Sequence, residues 1–129
     1  MKKLSLSVLA VLAMTVPAVG HCGEAKAHKS AKTYKVADIY KNKDALDKKV
    51  VTVRGKVVKV SSNIMDRNWI HIQDGTGHAV AKNNDLTVTT TQNPPAVGKV
   101  VTVTGTLAKS KDFGAGYFYD VIIEKATIK

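Results

Sequence analysis

The chain has 129 residues, with 20 Lys or Arg against 10 Asp or Glu, a formal charge of +10, 5% aromatic residues and one Cys. A lone Cys excludes an internal disulfide, and this length leaves room for one domain once a leader is set aside. Apart from Arg54 and Arg67 the cationic charge is all Lys, which suits solubility and diffuse attraction to anions better than bidentate recognition.

Residues 1–20 read as a secretory signal peptide. Lys2 and Lys3 precede an apolar stretch from Leu4 to Val16, and Pro17-Ala18-Val19-Gly20 supplies the small residues of a cleavage site. The stretch is shorter than the ~20 residues that span a bilayer as a helix, so the expectation is an exported, periplasmic protein that is not integral to a membrane. Cleavage after residue 20 retains Cys22, and cleavage after residue 27, at Ala25-Lys26-Ala27, removes it. Val19-Gly20-His21-Cys22 also partly resembles a lipobox, from which His21 departs because that position ordinarily holds a small residue. Residues 21–33 are small, polar and basic without an apolar period, which predicts a disordered mature N-terminus.

The domain is predicted over residues 34–129. Val36, Ile39, Tyr40 and Leu46 share one stripe, with Asp38 and Asp44 opposite, which predicts one short amphipathic helix. Val51 and Val53, then Val58 and Val60, alternate on either side of Gly55, and a change of phase at a Gly reads as a bulge or sharp coil in one long strand. In the second strand Ile70 and Ile72 face one side, and Trp69, His71 and Gln73 face the other. Asp74-Gly75-Thr76-Gly77 is a hairpin turn, and a third strand follows around Ala79–Ala81 and Leu86–Thr90, interrupted by Asn83-Asn84. Gln92-Asn93-Pro94-Pro95 breaks the chain. A fourth strand then repeats the first, with Val101, Val103, Gly105 and Leu107 in phase, and the last runs from Tyr117 to Ile128 after the loop 112–116. The fold class predicted is mainly β, a five-stranded OB-fold barrel with one short N-terminal helix.

The residues that carry a family likeness are VVTVRGKVVKV from Val50, NWIHIQDGTG from Asn68 and KVVTVTGTL from Lys99. Together they resemble OB-fold domains of the tRNA-anticodon-binding type. Ile64 to Gly77 and Asn84 to Thr90 look like the characteristic words of small exported bacterial OB-fold proteins, some of which accompany multihaem cytochromes. The likeness spans Val36 to Ile128. It implies an exported binding module, with an exported partner such as a cytochrome, and says little about the ligand.

On an OB fold the ligand face is built largely on the second and third strands and their flanking loops. That makes Trp69, His71 and Gln73, with Arg54, Lys56 and Phe113, the candidate ligand-binding residues. A flat ligand or base would stack on Trp69, although Trp69 could equally be a cover for the barrel end and His71 a plain surface residue. Met65 and His71 are candidate ligands for reduced copper, for which thioether and imidazole are suitable donors, and no other cofactor is implied. Lys56, Lys59, Lys82, Lys109 and Lys111 would form an anion-attracting rim, or simply a solvated face. No nucleophile elbow, Walker loop or HExxH stands in the sequence, and Asp74 is explained as a turn residue. The expectation is therefore a non-catalytic, monomeric binding protein. The alternatives beside an accessory module are a nucleic-acid-binding OB domain and a copper-binding protein.

Overall fold

The computed structural model describes residues 32–129. The predicted signal peptide, Cys22 and nearly all of the predicted disordered segment lie outside the described residues. The elements are β1 (Thr33–Tyr34), α1 (Val36–Lys41), α2 (Lys43–Leu46), β2 (Val50–Ile64), β3 (Arg67–Gln73), β4 (Leu86–Thr90), β5 (Val100–Asp112) and β6 (Phe118–Ile128). The strands lie in the order β1-β2-β3-β4-β6-β5, and β2 pairs again with β5. Five strands therefore close into a ring, to which β1 adds a sixth strand by two parallel rungs at Thr52 and Val53. Among the described residues the fold is mainly β, with six strands and two short helices where five and one were expected.

The closed ring follows from alternation. Val51, Val53 and Val57 of β2, Ile70 and Ile72 of β3, Leu86 and Val88 of β4, Val101, Val103 and Leu107 of β5, and Val121 and Ile123 of β6 all point into one core. Val36, Ile39 and Leu46 close it from the helices. The expected single helix is broken at Asn42, whose backbone (φ −106°, ψ 19°) leaves helical geometry. Lys35 offers α1 no side-chain cap. The cap comes from a distant turn, where Asp74 Oδ2 accepts from Val36 N–H at 2.9 Å and Thr76 Oγ1 from Ala37 N–H at 3.0 Å. Asp74 is thus both the turn residue expected, bonding Thr76 N–H at 3.0 Å, and the anchor of α1.

The change of phase in the first long strand falls later than Gly55. Val57 pairs with Ile72 and Val60 with Ile70, so the bulge is at Val58–Lys59 and Gly55 keeps the inward phase. Neither Gly55 nor Gly105 has positive φ. Both are needed for lack of room. A Cβ at Gly55 would stand 3.2 Å from Gln73 O and Ile72 Cβ, and one at Gly105 only 2.6 Å from Ile123 Cγ2 and 2.8 Å from Glu124 O. Gly105 faces a bulge in β6, where Lys125 takes φ +53° and the register with β5 slips between Thr104 and Thr106. The third strand is shorter than expected: residues 79–82 form turns, closed by Lys82 N–H to Ala79 O at 3.1 Å, and β4 holds only Leu86–Thr90.

Candidate functional site

The outer row of β3, running Arg67, Trp69, His71, Gln73, lies against Ser61, Lys59 and Lys56 of β2 and against Thr89 and Thr87 of β4. Three groups of side chains occupy this face in succession.

At one end stands Trp69. It faces away from the ring core as the alternation requires, yet it is only 4% exposed. The β5–β6 hairpin explains this: Phe113 meets the indole edge-on (5.2 Å, 76°) and Tyr119 stacks on it (5.6 Å, 27°). Trp69 Nε1 donates to Ile64 O at 2.8 Å, so its polar edge is also occupied. Trp69 is therefore the floor of an aromatic cluster, and the expectation that a flat ligand stacks on it is corrected. The aromatic surface that does reach solvent is elsewhere on the β5–β6 hairpin, at Tyr117 (43% exposed) and Phe118 (59%).

The middle group is polar. His71 Nδ1 and Asp85 Oδ1 are 2.6 Å apart, and Gln73 Nε2 donates to Asp85 Oδ2 at 3.0 Å. Tyr40 Oη donates to Asp85 O at 2.6 Å and so ties α1 to the same residue. Burial would raise the Asp85 pKa, but the hydrogen bonds from His71 and Gln73, with the charges of His71 and Lys59, hold it below the ordinary carboxylate value. Burial, followed by the negative charges of Asp85 and Asp120, pushes Tyr40 up to about 12. Asp85 has no place among the sequence candidates. Its only signal was its position, immediately before the strand that pairs with His71.

At the other end Arg54, Lys56, Gln73 and Asp74 line a depression of about 520 Å³ together with Val58 and Val100. Arg54 and Lys56 are exposed, alternate residues on one face of β2, roughly 7 Å apart at the rise of an extended chain. The Asp74 carboxylate in this depression is already committed to Val36 and Thr76, and despite burial those bonds keep its pKa low. Val58 and Val100 stay exposed, so cationic and apolar groups share one surface.

The candidate residues thus fall into separate places. Arg54, Lys56 and Gln73 come together, Trp69 and Phe113 come together, and His71 lies between. Met65 is in the β2–β3 turn with φ +54°, beyond Arg67, which is four strand residues from His71, so at least ~13 Å of extended chain separates the two and they do not meet at one ion. Among the described residues no group of three or more His, Cys, Asp or Glu could hold a metal, and no helix is long and apolar enough to cross a membrane. Of the expected lysine rim, Lys56 lines the depression beside Arg54, Lys111 lies by Phe113, and Lys109 is paired with Asp44 at 2.7 Å.

A closed ring of five strands, with a face flanked by the β2–β3 turn and the β5–β6 hairpin, defines an OB-like fold. Solved structures share it. A putative aspartyl-tRNA synthetase from Leishmania major Friedlin superposes with a TM-score of 0.55 at 15% identity over 78% of this chain and 21% of its own. The aspartyl tRNA synthetase from Entamoeba histolytica gives 0.55 at 15% identity over 79% and 22%. The OBody AM3L09, bound to hen egg-white lysozyme, gives 0.54 at 18% identity over 75% and 92%. The chain therefore spans about a fifth of the length of the two synthetase chains. No protein-family model matches the chain, and no curated protein matches it.

Proposed function

We propose that this protein acts by binding and not by catalysis, as an exported OB-fold barrel that serves as an accessory module in the periplasm. Its ligand is the acidic surface of an exported partner protein, a cytochrome being one such partner. The observation that carries this reading is the depression where exposed Arg54 and Lys56 stand beside exposed Val58 and Val100. A surface for a small solvated anion needs only the charges. Apolar side chains at the same place suit a protein partner, which buries them while its carboxylates face the cations. The OBody supports this, since a ring of the same fold there holds a protein ligand. The test is recovery of the tagged mature protein from the periplasm under gentle conditions: a stoichiometric partner released by salt is expected, and isolation of the protein alone removes the reading.

A second reading, nucleic-acid binding, is favoured by one feature. Tyr117 and Phe118 are exposed on the β5–β6 hairpin, where Phe118 pairs with Asp112, the residue after Lys111, so one hairpin carries both stacking surface and positive charge. The likeness to two aspartyl-tRNA synthetase chains supports it through the fold. Affinity for single-stranded oligonucleotides falling steeply with salt is expected, and absence of any gel shift at low salt rules it out.

A further inference from the structure

A second depression, of about 470 Å³, opens where β4 and β6 part. These strands share only two rungs, Thr87–Ile122 and Val88–Ile123, and the β6 bulge at Lys125 follows directly. Three cations line the opening from three different strands: Arg67 of β3, Lys111 of β5 and Lys125 of β6. Two carboxylates, Asp66 and Glu124, line it as well, and Glu124 faces two of the cations, at 3.4 Å from Arg67 and 4.0 Å from Lys111. Well-made charged hydrogen bonds measure roughly 2.7–2.9 Å, and elsewhere on this molecule they do, at 2.8 Å for Lys43–Asp120 and 2.7 Å for Lys109–Asp44. Glu124 is thus stretched between two cations and satisfies neither fully. Arg67 and Lys111 are also held in place independently of it, since both rest on the Phe113 ring, at 5.7 and 5.4 Å from its centroid.

We propose that this depression binds a phosphate monoester dianion, with Glu124 as the internal counter-ion that the ligand displaces. A phosphate group offers what the Glu124 carboxylate lacks: a second negative charge, and enough oxygens for the Arg67 fork and Lys111 together, at an opening where three cations outnumber the two carboxylates Asp66 and Glu124. Lys125 adds a third positive charge. The site stands apart from the partner-binding surface, because none of its residues lines the Arg54–Lys56 depression. It also has a built-in reporter. Phe113 carries Arg67 and Lys111 and packs on Trp69, the only tryptophan, so a ligand that draws the two cations changes the indole's surroundings.

The experiment is a titration of the protein with inorganic phosphate, with a 5′-phosphorylated dinucleotide and with the same dinucleotide dephosphorylated, followed by calorimetry and Trp69 fluorescence. Saturable binding of the phosphorylated probes is expected, weakened about tenfold by Lys111→Ala or Arg67→Ala and tightened about fivefold by Glu124→Gln. Arg67→Lys keeps a cation near Phe113 and should fall between parent and Arg67→Ala, which covers the case that the alanine variant misfolds. A charge reversal at Arg54 and Lys56 should leave this binding unchanged even if it abolishes partner capture. Tighter binding of the phosphorylated dinucleotide than of inorganic phosphate identifies a nucleotide terminus as the source, and equal binding identifies the free anion. Equal binding of the dephosphorylated dinucleotide, no gain from Glu124→Gln, or no saturable binding at all would overturn the proposal.

Discussion

Replacing Gly105 by Ala is the sharpest test of why the ring closes as it does. A Cβ there would sit 2.6 Å from Ile123 Cγ2, 2.8 Å from Glu124 O and 3.0 Å from Ala126 Cα. Two of those atoms are backbone, in the bulge that turns β6 past β5, so the added methyl cannot be absorbed by a side-chain rotation. Overpacking of this kind costs about 1–3 kcal/mol, and the rigid backbone neighbours place Gly105→Ala at the upper end. At Gly55 the closest atoms would be 3.2 Å away, which a shift of a few tenths of an ångström relieves. Gly55→Ala should therefore cost about 1 kcal/mol or less. In a domain of about a hundred residues each kcal/mol lowers Tm by about 4–8 °C, so the two variants should melt well apart, Gly105→Ala first. Thermal and urea unfolding followed by far-UV circular dichroism and by Trp69 emission gives both numbers. A Gly105→Ala variant as stable as the parent, or more stable than Gly55→Ala, would refute the crowding account.

Asp74 and Asp85 both have carboxyl pKa values held below the ordinary 3.8 in the folded state. Their contribution to stability is therefore complete above that value and is lost as pH falls through the lower folded values. Asp74→Asn should flatten that acid limb and, by weakening the cap on α1, destabilise the fold by about 1 kcal/mol at neutral pH; an unchanged stability-against-pH curve would contradict it. Trp69 should emit at short wavelength and resist acrylamide quenching, and Phe113→Ala should shift emission to the red and admit the quencher, whereas full quenching of the parent would show that the indole is not covered. If single-stranded nucleic acid binds, the double variant Tyr117→Ala, Phe118→Ala should lose about 1–3 kcal/mol per stacked base. Undiminished binding in fluorescence anisotropy would remove the hairpin from that interface.

Much of the architecture is legible in the sequence, because alternation is a local property. Val51 and Val53, Ile70 and Ile72, and Val101 and Val103 reveal the inner face of three strands without reference to anything distant. Alternation also correctly sends Trp69 away from the core. It cannot reveal what covers that residue, because Phe113 and Tyr119 arrive from 44 and 50 positions downstream. The same holds for His71, whose partner Asp85 lies across the β3–β4 connection. The two repeated glycines show that something special happens at Gly55 and Gly105, but one sequence does not distinguish positive φ from close approach, and the answer depends on where the β6 backbone passes. The start of α1 has a similar origin, since its first N–H groups are capped by Asp74 and Thr76 from another element.

The proposed partner surface is the cationic and apolar patch around Arg54 and Lys56. It is tested most directly by capturing partners from a periplasmic fraction with the tagged parent and with an Arg54→Glu, Lys56→Glu variant shown to melt at the same temperature. The parent should retain an acidic protein, released by salt, and the variant should not. Equal retention by both would contradict it.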